Sequence, residues 1–292
     1  MKQSRRSFLM NTTLALSGAV LFPGGIPGRQ KPKGFLADIG VCTSVTNSEL
    51  LAGFGYSYIE ENVQQFLVPE KSEEEFNGLL KIARNAKIPV TVCNSFLPGT
   101  YKCVGPDAVP GKILEYAETA FRRAGISGVK IIVFGSGRAR QIPDGFPVED
   151  ARLQFINLCS QMAPVAAKYG VTLVIEPLNK KECNFLTSVS EGGEIVKDVN
   201  HPNVRLLADI YHMKMDDEDP GSILNYGSLI RHIHIAEKEG RAAPGKHGED
   251  FREYFEALKK IKYKGRISVE CHWEDMNSQA MTAINTIKKQ AL

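Results

Sequence analysis

The 292-residue chain is predicted to fold as a single (β/α)₈ barrel, and three observations predict it. Eight short apolar runs recur after residue 34, and a segment with helical spacing follows each of them. Most of the runs are continuously apolar, as the strands of a parallel sheet are when helices cover both of its faces. The stretch 34–292 also has the length that eight β/α units require.

The eight apolar runs define the predicted strands in chain order. They are 36–42, 56–60, 89–93, 129–134, 171–175, 204–210, 230–236 and 266–271. A doubly wound open sheet is the alternative architecture for such a pattern. No G-x-G-x-x-G motif follows the first run, which weakens a dinucleotide-binding version of that alternative.

The predicted helices lie between these runs. Apolar residues recur at steps of three and four in 113–124, 251–261 and 281–287. Segment 149–169 also has a helical composition, and Pro164 is expected to kink it. We see no internal repeat and no second-domain linker, so one barrel domain over 34–292 is expected.

The composition is that of a soluble globular protein, with 43% hydrophobic and 24% charged residues. The net charge is +3 and the basic residues are scattered, which argues against a nucleic-acid partner. The six cysteines form no C-x-x-C pair, so we expect buried free thiols and no zinc knuckle. They are Cys42, Cys93, Cys103, Cys159, Cys183 and Cys271.

Residues 1–33 resemble an export signal followed by a linker. Arg5 and Arg6 precede Phe8 and Leu9, a mildly apolar run follows, and a Pro/Gly-rich stretch comes next. The paired arginines resemble a twin-arginine signal, which addresses folded proteins to the bacterial periplasm. The apolar run is too short to span a bilayer, so no membrane segment is expected in the mature protein.

Metal-binding side chains stand at the ends of the last four predicted strands. Glu176, Asp209, His234 and Glu270 each close one of the four runs. The carboxyl ends of barrel strands meet at one face, where chemistry gathers. Three carboxylates crowded there would repel one another unless a cation lay between them. Together, the four residues therefore predict one divalent metal site.

Other polar residues at strand ends have less certain roles. His232 shares parity with His234, and we interpret it as a buried, hydrogen-bonded support instead of a fifth ligand. Either Glu60 or Glu61 is expected to face the barrel interior. Asn94 and Ser136 could line the pocket or cap loops. Segment 238–250, rich in Gly and charge, is interpreted as a mobile loop at the rim with solvated Lys and His side chains.

At this point the sequence resembles the xylose isomerase-like barrel superfamily, in particular its sugar epimerase and hydroxypyruvate isomerase-like branch. The resemblance runs from about residue 36 to residue 291. Its motifs are Glu176-Pro177-Leu178-Asn179 with Glu182, Asp209-Ile210-Tyr211-His212, His232-Ile233-His234 with Arg241, and Glu270. The motifs are specific to the superfamily, but they leave the substrate open.

The resemblance implies roles for seven residues. Metal ligands are Glu176, Asp209, His234 and Glu270. Contacts to substrate hydroxyls come from Glu182, His212 and Arg241. The oxygen-rich ligand set favours Mn²⁺, with Mg²⁺, Co²⁺ or Zn²⁺ as alternatives. A homo-oligomer is expected by analogy.

The implied reaction is isomerisation or epimerisation of a small sugar. Glu176 and Glu270 act as the acid–base pair, moving a proton beside a carbonyl through an enediolate. The alternative on the same scaffold is a lyase or hydrolase, such as a dehydratase or an enzyme that cleaves 3-keto-glycosides. A barrel that only binds sugar is disfavoured because all four ligands are intact. An endonuclease-IV-like enzyme is disfavoured because the extra histidines of its three-metal site are missing.

Overall fold

A computed structural model describes residues 38–292, in which eight parallel strands form a closed barrel. The strands are β1 (Ile39–Cys42), β2 (Tyr58–Asn62), β3 (Val90–Asn94), β4 (Ile131–Phe134), β5 (Thr172–Ile175), β6 (Val204–Asp209), β7 (Ile230–Ile235) and β8 (Arg266–Val269). All eight predicted runs are strands, with boundaries that differ by no more than three residues. The (β/α)₈ prediction is therefore confirmed.

Pairing of the first strand with the last closes the sheet. Ile39 lies opposite Ile267, and Val41 lies opposite Val269, in a parallel register. An open doubly wound sheet has two edge strands with a neighbour on one side only, whereas every strand here is paired on both sides, so that alternative is wrong. Closure also removes the unpaired backbone groups that an edge strand would expose.

Helices connect the strands and pack around them. They are α1 (Ser48–Phe54), α2 (Glu73–Arg84), α3 (Pro110–Ser127), α4 (Gly137–Arg140), α5 (Val148–Lys168), α6 (Val189–Val199), α7 (Ile210–Met215), α8 (Gly221–Tyr226), α9 (Arg252–Lys260) and α10 (Met276–Gln290). The four predicted helical segments correspond to α3, α5, α9 and α10. Pro164 lies inside α5, and that helix continues past it to Lys168.

A small apolar cluster fills the barrel interior, apart from the larger core between strands and helices. Its members are Tyr58, Val92, Ile131, Val133, Val174 and Leu207. Side chains two residues apart on a strand face the same way. Glu176 therefore points inward like Val174, and Asp209 points inward like Leu207. The apolar layer forms the floor on which the polar residues of the site stand.

The six cysteines are free thiols, as predicted, and four of them are buried. No helix in the part from residue 38 onward has the length and apolarity needed to cross a membrane. The predicted export signal and linker at 1–33 lie outside the described residues.

Candidate metal centre

The four predicted ligands come together at the carboxyl ends of neighbouring strands. Glu176 follows β5, Asp209 ends β6, His234 lies in β7 and Glu270 follows β8. One donor atom from each lies within 4.8 Å of the others. Three are buried and Glu270 is partly exposed, so the group opens to solvent on one side.

Three of the four side chains have a buried polar atom without a hydrogen bond. These atoms are Oε1 of Glu176, Oδ2 of Asp209 and Nδ1 of His234. Nδ1 of His234 lies 2.8 Å from Oε1 of Glu176 and 3.2 Å from Oε2 of Glu270. Leaving a buried polar atom unpaired costs about 1–3 kcal/mol. Unpaired atoms from three strands meeting at one point fit a divalent ion, and so does the oxygen-rich donor set.

The pKa values of the cluster reflect its burial and the charges of the neighbouring side chains. Burial raises the pKa of Asp209 to about 7, against the opposing effect of the Arg241 cation. Burial also acts to raise the pKa of Glu270, but the charges of His234 and Arg241 outweigh it and lower that pKa to about 2. Without an added cation, the buried Asp209 thus takes up a proton more readily than a free carboxyl group does.

The three predicted substrate contacts lie beside the cluster. Arg241 pairs with Glu270 in a close contact, and its Nη2 is 3.6 Å from Oδ2 of Asp209. Its Nη1 is 3.8 Å from Oε1 of Glu182. Nε2 of His212 lies 3.4 Å from Oδ2 of Asp209. All three line a cavity of about 290 Å³ together with Glu176 and Glu270.

His212 is held in one tautomer by its neighbours. Its Nδ1 lies 3.2 Å from the backbone N–H of Asn179 and 2.8 Å from Nδ2 of that residue, so it accepts. The ring proton therefore sits on Nε2. Burial, aided by the Arg241 charge, lowers the pKa of His212 to about 3. His212 is thus a neutral donor at the wall of the cavity.

Asn94 and Ser136 are the residues that the sequence predicted either to line the pocket or to cap loops. Asn94 and Ser136 both line the cavity. Nδ2 of Asn94 donates to Oε1 of Glu270 at 3.0 Å, and Oγ of Ser136 accepts from the backbone N–H of Leu97 at 2.9 Å. Each residue therefore lines the pocket and also supports a loop or a ligand.

Glu60 and Glu61 face opposite ways from β2. Glu60 points into the barrel and contacts the ring nitrogens of His232 and His234. Glu61 accepts from the backbone N–H of Val45 at 2.5 Å instead. The interpretation of His232 as a hydrogen-bonded support agrees with this arrangement, since His232 is not one of the four clustered donors.

The rim segment 238–250 is organised around a buried carboxylate, and its Lys246 and His247 are exposed, as expected, although each also pairs with a carboxylate. Oε1 of Glu237 accepts from the backbone of Gly245 at 2.7 Å. Its Oε2 accepts from the backbone of His247 at 2.7 Å and lies 3.0 Å from Nδ1 of that residue. Lys246 pairs with Glu274 at 2.5 Å.

Two residues that position Glu176 were missed by the sequence reasoning. The guanidinium of Arg140, fully buried, donates to the carbonyl of Phe134 at 2.9 Å and to that of Glu176 at 2.6 Å. A Cβ atom on Gly135 would lie 1.8 Å from Oε2 of Glu176. A glycine directly after a strand was the available signal for the second residue. An arginine in a segment as short as α4 gives no comparable signal.

Comparison with known proteins gives one family and several relatives. The family model described as xylose isomerase-like TIM barrel matches residues 48–290. The L-ribulose 3-epimerase of Methylomonas sp. (strain DH-1) is 32% identical over 120 residues, which are 41% of this chain and 42% of that protein. The matched stretch thus spans less than half of that relative.

Two further relatives match over greater lengths. The putative hydroxypyruvate isomerase of Homo sapiens is 29% identical over 204 residues, 66% of this chain and 73% of the relative. The 3-dehydro-D-guloside 4-epimerase of Escherichia coli (strain K12) is 23% identical over 211 residues, 67% of this chain and 80% of the relative.

Solved structures share the fold. A D-psicose 3-epimerase determined in the presence of D-fructose superimposes with a TM-score of 0.76 at 21% identity, covering 87% of this chain and 99% of that one. An IolI protein with a bound zinc atom gives a TM-score of 0.67 at 20% identity, covering 87% of this chain and 96% of that one.

Proposed function

The chain belongs to the xylose isomerase-like TIM barrel family, and from this premise we propose that it is a divalent-metal-dependent isomerase or epimerase of a small sugar or keto-sugar. The convergence of Glu176, Asp209, His234 and Glu270 on one point carries the proposal. The relatives support it, since they are named as ketose 3-epimerases, a 4-epimerase of a dehydro-sugar glycoside and a hydroxypyruvate isomerase.

Glu176, Asp209, His234 and Glu270 would hold the ion, with Mn²⁺ favoured by the three carboxylate donors. Zn²⁺ is an alternative, because a structural neighbour is an IolI protein with bound zinc. When bound, the ion would act as a Lewis acid that stabilises negative charge on the substrate's carbonyl oxygen.

We assign the proton transfers to Glu176 and Glu270, which enter the cavity from β5 and β8. One carboxylate removes the proton from the carbon next to the carbonyl, giving an enediolate. The other, which has first taken up a proton from solvent, donates that proton to the opposite face, and this inverts the carbon. Return to the neighbouring carbon instead interconverts an aldose and a ketose. Positioned groups of this kind contribute roughly 10²–10⁴-fold.

Arg241, His212 and Glu182 would orient the substrate. His212 offers its Nε2–H as a donor, and Glu182 offers carboxylate oxygens that accept from hydroxyls. Arg241 contacts Glu270, Asp209 and Glu182. It therefore links the carboxylates of the proposed metal site to a side chain that would contact the substrate. Fixing the hydroxyls at these positions aims the C–H bond at the base.

Proton exchange in D₂O tests the proposal. The purified chain is incubated with Mn²⁺ and a panel of free ketoses, hydroxypyruvate and 3-keto-glycosides, and products are analysed by NMR and mass spectrometry. We expect deuterium at a carbon next to the carbonyl, with the sugar skeleton intact. Glu270→Gln should abolish this exchange, while Glu256→Gln, an exposed position on α9, should retain it.

Other outcomes separate the alternatives. A product lighter by water, or a released aglycone, that depends on Glu270 would assign the site to lyase or hydrolase chemistry. Failure of every substrate to exchange, although the ion binds stoichiometrically, would contradict the isomerase proposal for this panel and favour a sugar-binding barrel.

We also propose that the chain is exported to the periplasm of a bacterium, on the basis of Arg5, Arg6 and the apolar run that follows. A reporter fused to residues 1–33 should reach the periplasm by the twin-arginine route. Lys substitutions at both arginines should keep it in the cytoplasm. A reporter that stays in the cytoplasm with the unaltered segment would contradict the proposal.

A further inference from the structure

We propose that Glu60 is a positioning residue, which holds the imidazole of His234 with its Nδ1 lone pair facing the three carboxylate ligands. The sequence left open whether Glu60 or Glu61 faces inward, and the structure turns Glu60 toward the histidines of β7. The inference rests on the proposed metal site, but it concerns the affinity of that site and not the reaction. It is drawn from the hydrogen bonds at the floor of the barrel.

Both oxygens of Glu60 are bonded to histidines of β7. Oε1 lies 2.9 Å from Nε2 of His234, and Oε2 lies 2.8 Å from Nε2 of His232. Oγ of Ser268 donates to Oε2 at 2.6 Å and lies 2.8 Å from the hydroxyl of Tyr58. The side chains of Glu60, His232 and His234 are fully buried, so water cannot replace these bonds.

The direction of the hydrogen bonds follows from the chemistry of the acceptor. An ionised carboxylate only accepts, so each Nε2 must carry a proton and donate it. The hydroxyl of Ser268 is used toward Glu60, so the hydroxyl of Tyr58 donates to Ser268 Oγ. The two histidine Nε2–H groups and the hydroxyl of Ser268 thus all point at Glu60. Nε2 of His234 donates to Glu60, so Nδ1 is the nitrogen that faces the ligand cluster. In the neutral form of the ring, which a metal ligand requires, Nδ1 presents its lone pair there.

His232 serves as a brace for Glu60 and not as a second ligand. Its Nδ1 has no hydrogen bond, so the contacts of Nε2 with Glu60 and Ser268 are its only polar ones among the described residues. The two imidazoles stand at 83° to each other with centroids 5.0 Å apart. Glu60 is therefore held from a second direction, which fixes the orientation that it imposes on His234.

A competing explanation would give Glu60 a metal of its own. Donor atoms of Cys42, Glu60 and His234 lie within 4.8 Å of one another. Both oxygens of Glu60 and Nε2 of His234 are already engaged in the hydrogen bonds described above. A second ion there would have to break these bonds, so the geometry favours support of one ion.

The substitution Glu60→Gln gives a sharp test, since it preserves the shape of the side chain. Its amide group donates two hydrogens, so at least one histidine Nε2–H would face another donor. His234 must then change its tautomer or rotate, and either change withdraws the Nδ1 lone pair. Loss of such a supporting partner typically weakens metal binding by about 10–100-fold.

Glu61→Gln is the matched control. Glu61 is the next residue on β2, it is also buried, and the substitution makes the same change in charge. Its carboxylate bonds the backbone of Val45 and Asn62 and contacts no metal ligand. If removing any buried carboxylate from β2 changes the metal affinity, both variants will show the change. If the change requires the bond to His234, only Glu60→Gln will show it.

The full-length chain and both variants are titrated with Co²⁺, and binding is measured by calorimetry and visible absorption. We expect Glu60→Gln to bind Co²⁺ about 10–100-fold more weakly, with a shifted absorption band that reports an altered ligand field. Glu61→Gln should stay within about twofold of the original chain. Circular dichroism in EDTA confirms that the compared proteins are folded.

Equal Co²⁺ affinity and an unshifted band in Glu60→Gln would overturn the proposal. If that variant does not fold, Ser268→Ala, which deletes a single hydrogen bond to Glu60, decides instead. If Ser268→Ala weakens Co²⁺ binding by roughly threefold or more, the proposal is supported, and unchanged Co²⁺ affinity overturns it. An original chain that binds Co²⁺ without any turnover would contradict the proposed function and leave this inference standing. A chain that binds no Co²⁺ would refute both.

Discussion

At the scale of single residues, Gly135 leaves the space that the carboxylate of Glu176 occupies. A Cβ atom at this position would lie 1.8 Å from Oε2 and 2.9 Å from Cδ of Glu176. Gly135→Ala should therefore push the carboxylate out of the ligand cluster while leaving the fold intact. We expect kcat to fall roughly 100-fold, since displacement by about 1 Å has effects of that size. Isotope exchange in D₂O measures the loss.

Gly111→Ala is the control for this prediction. Gly111 is in the first turn of α3, and no heavy atom lies within 4 Å of a Cβ added there. This variant should keep full activity and metal content. Retention of both properties in Gly135→Ala would show that Glu176 tolerates a different position.

The residues of the site divide into those that the sequence could predict and those that it could not. Glu176, Asp209, His234 and Glu270 were predictable because each ends an apolar strand, and strand ends share one face of the barrel. Arg140 was not predictable, because it acts through backbone carbonyls that its own sequence neighbours do not reveal. The choice between Glu60 and Glu61 needed the register of β2, which the pattern leaves ambiguous by one residue.

At the scale of elements, the rim segment 238–250 depends on the buried carboxylate of Glu237. Glu237→Gln keeps one acceptor oxygen and places an amide against backbone N–H groups. We expect a loss of about 1–3 kcal/mol in stability and faster proteolysis within the segment. KM should rise as well, because Arg241 belongs to this segment. Urea unfolding and limited trypsin digestion measure the first two effects.

Glu239→Gln tests whether the effect is specific. Glu239 is exposed, and no ion pair involves it in the part of the chain from residue 38 onward. This substitution should leave proteolysis and KM unchanged. If Glu237→Gln and Glu239→Gln showed the same rate of proteolysis and the same KM, the backbone hydrogen bonds to Glu237 would not be what keeps segment 238–250 ordered.

A second interaction between elements is the ion pair that joins the start of α2 to α3. Arg123 is 2% exposed on its side chain and lies 2.7 Å from Oε1 of Glu73. Hydrogen bonds from Arg122 and Arg123 lower the pKa of Glu73 to about 2. A lowered pKa means that the ionised carboxylate favours the folded state. Its contribution is complete above the ordinary pKa of 4.5 and is lost as the pH falls toward 2.

Glu73→Gln should therefore destabilise the chain at pH 7 and have little effect near pH 2. We expect about 1 kcal/mol at neutral pH, since solvent screens the half-exposed carboxylate. Urea unfolding at several pH values measures the difference. Glu74→Gln, at the exposed next position without an ion pair in the described chain, should show no such pH dependence. A difference that persists unchanged near pH 2 would contradict this account.

The elements themselves were predicted unevenly. All eight strands were predicted because buried parallel strands are apolar throughout. Of the ten described helices, α1, α2, α4, α6, α7 and α8 were given no predicted range, and three of these, α4, α7 and α8, have only four to six residues. Helices of this length contain too few turns to show a periodic apolar face. The organisation of the rim segment was also missed, since it depends on one carboxylate binding backbone groups ten residues away.

At the scale of the whole molecule, the stability of the barrel should depend on metal concentration. A ligand present at 100 times its dissociation constant stabilises the folded state by about 2.7 kcal/mol. For a domain of this size, Mn²⁺ added after EDTA treatment should raise Tm by roughly 5 °C. Differential scanning calorimetry measures the shift. Asp209→Asn should largely remove it, and Asp107→Asn, at an exposed loop position, should preserve it.

Closure of the barrel by β1 and β8 has a consequence for how the chain is made. Synthesis proceeds from the N-terminus, so β1 waits without its second neighbour until β8 has been translated. Glu270 follows β8 directly and precedes α10. Glu270, the fourth predicted ligand, is therefore synthesised immediately after the strand that closes the barrel. A chain released before β8 had been translated would have neither a closed sheet nor a complete ligand set, so occupancy of the site would report that translation had passed β8.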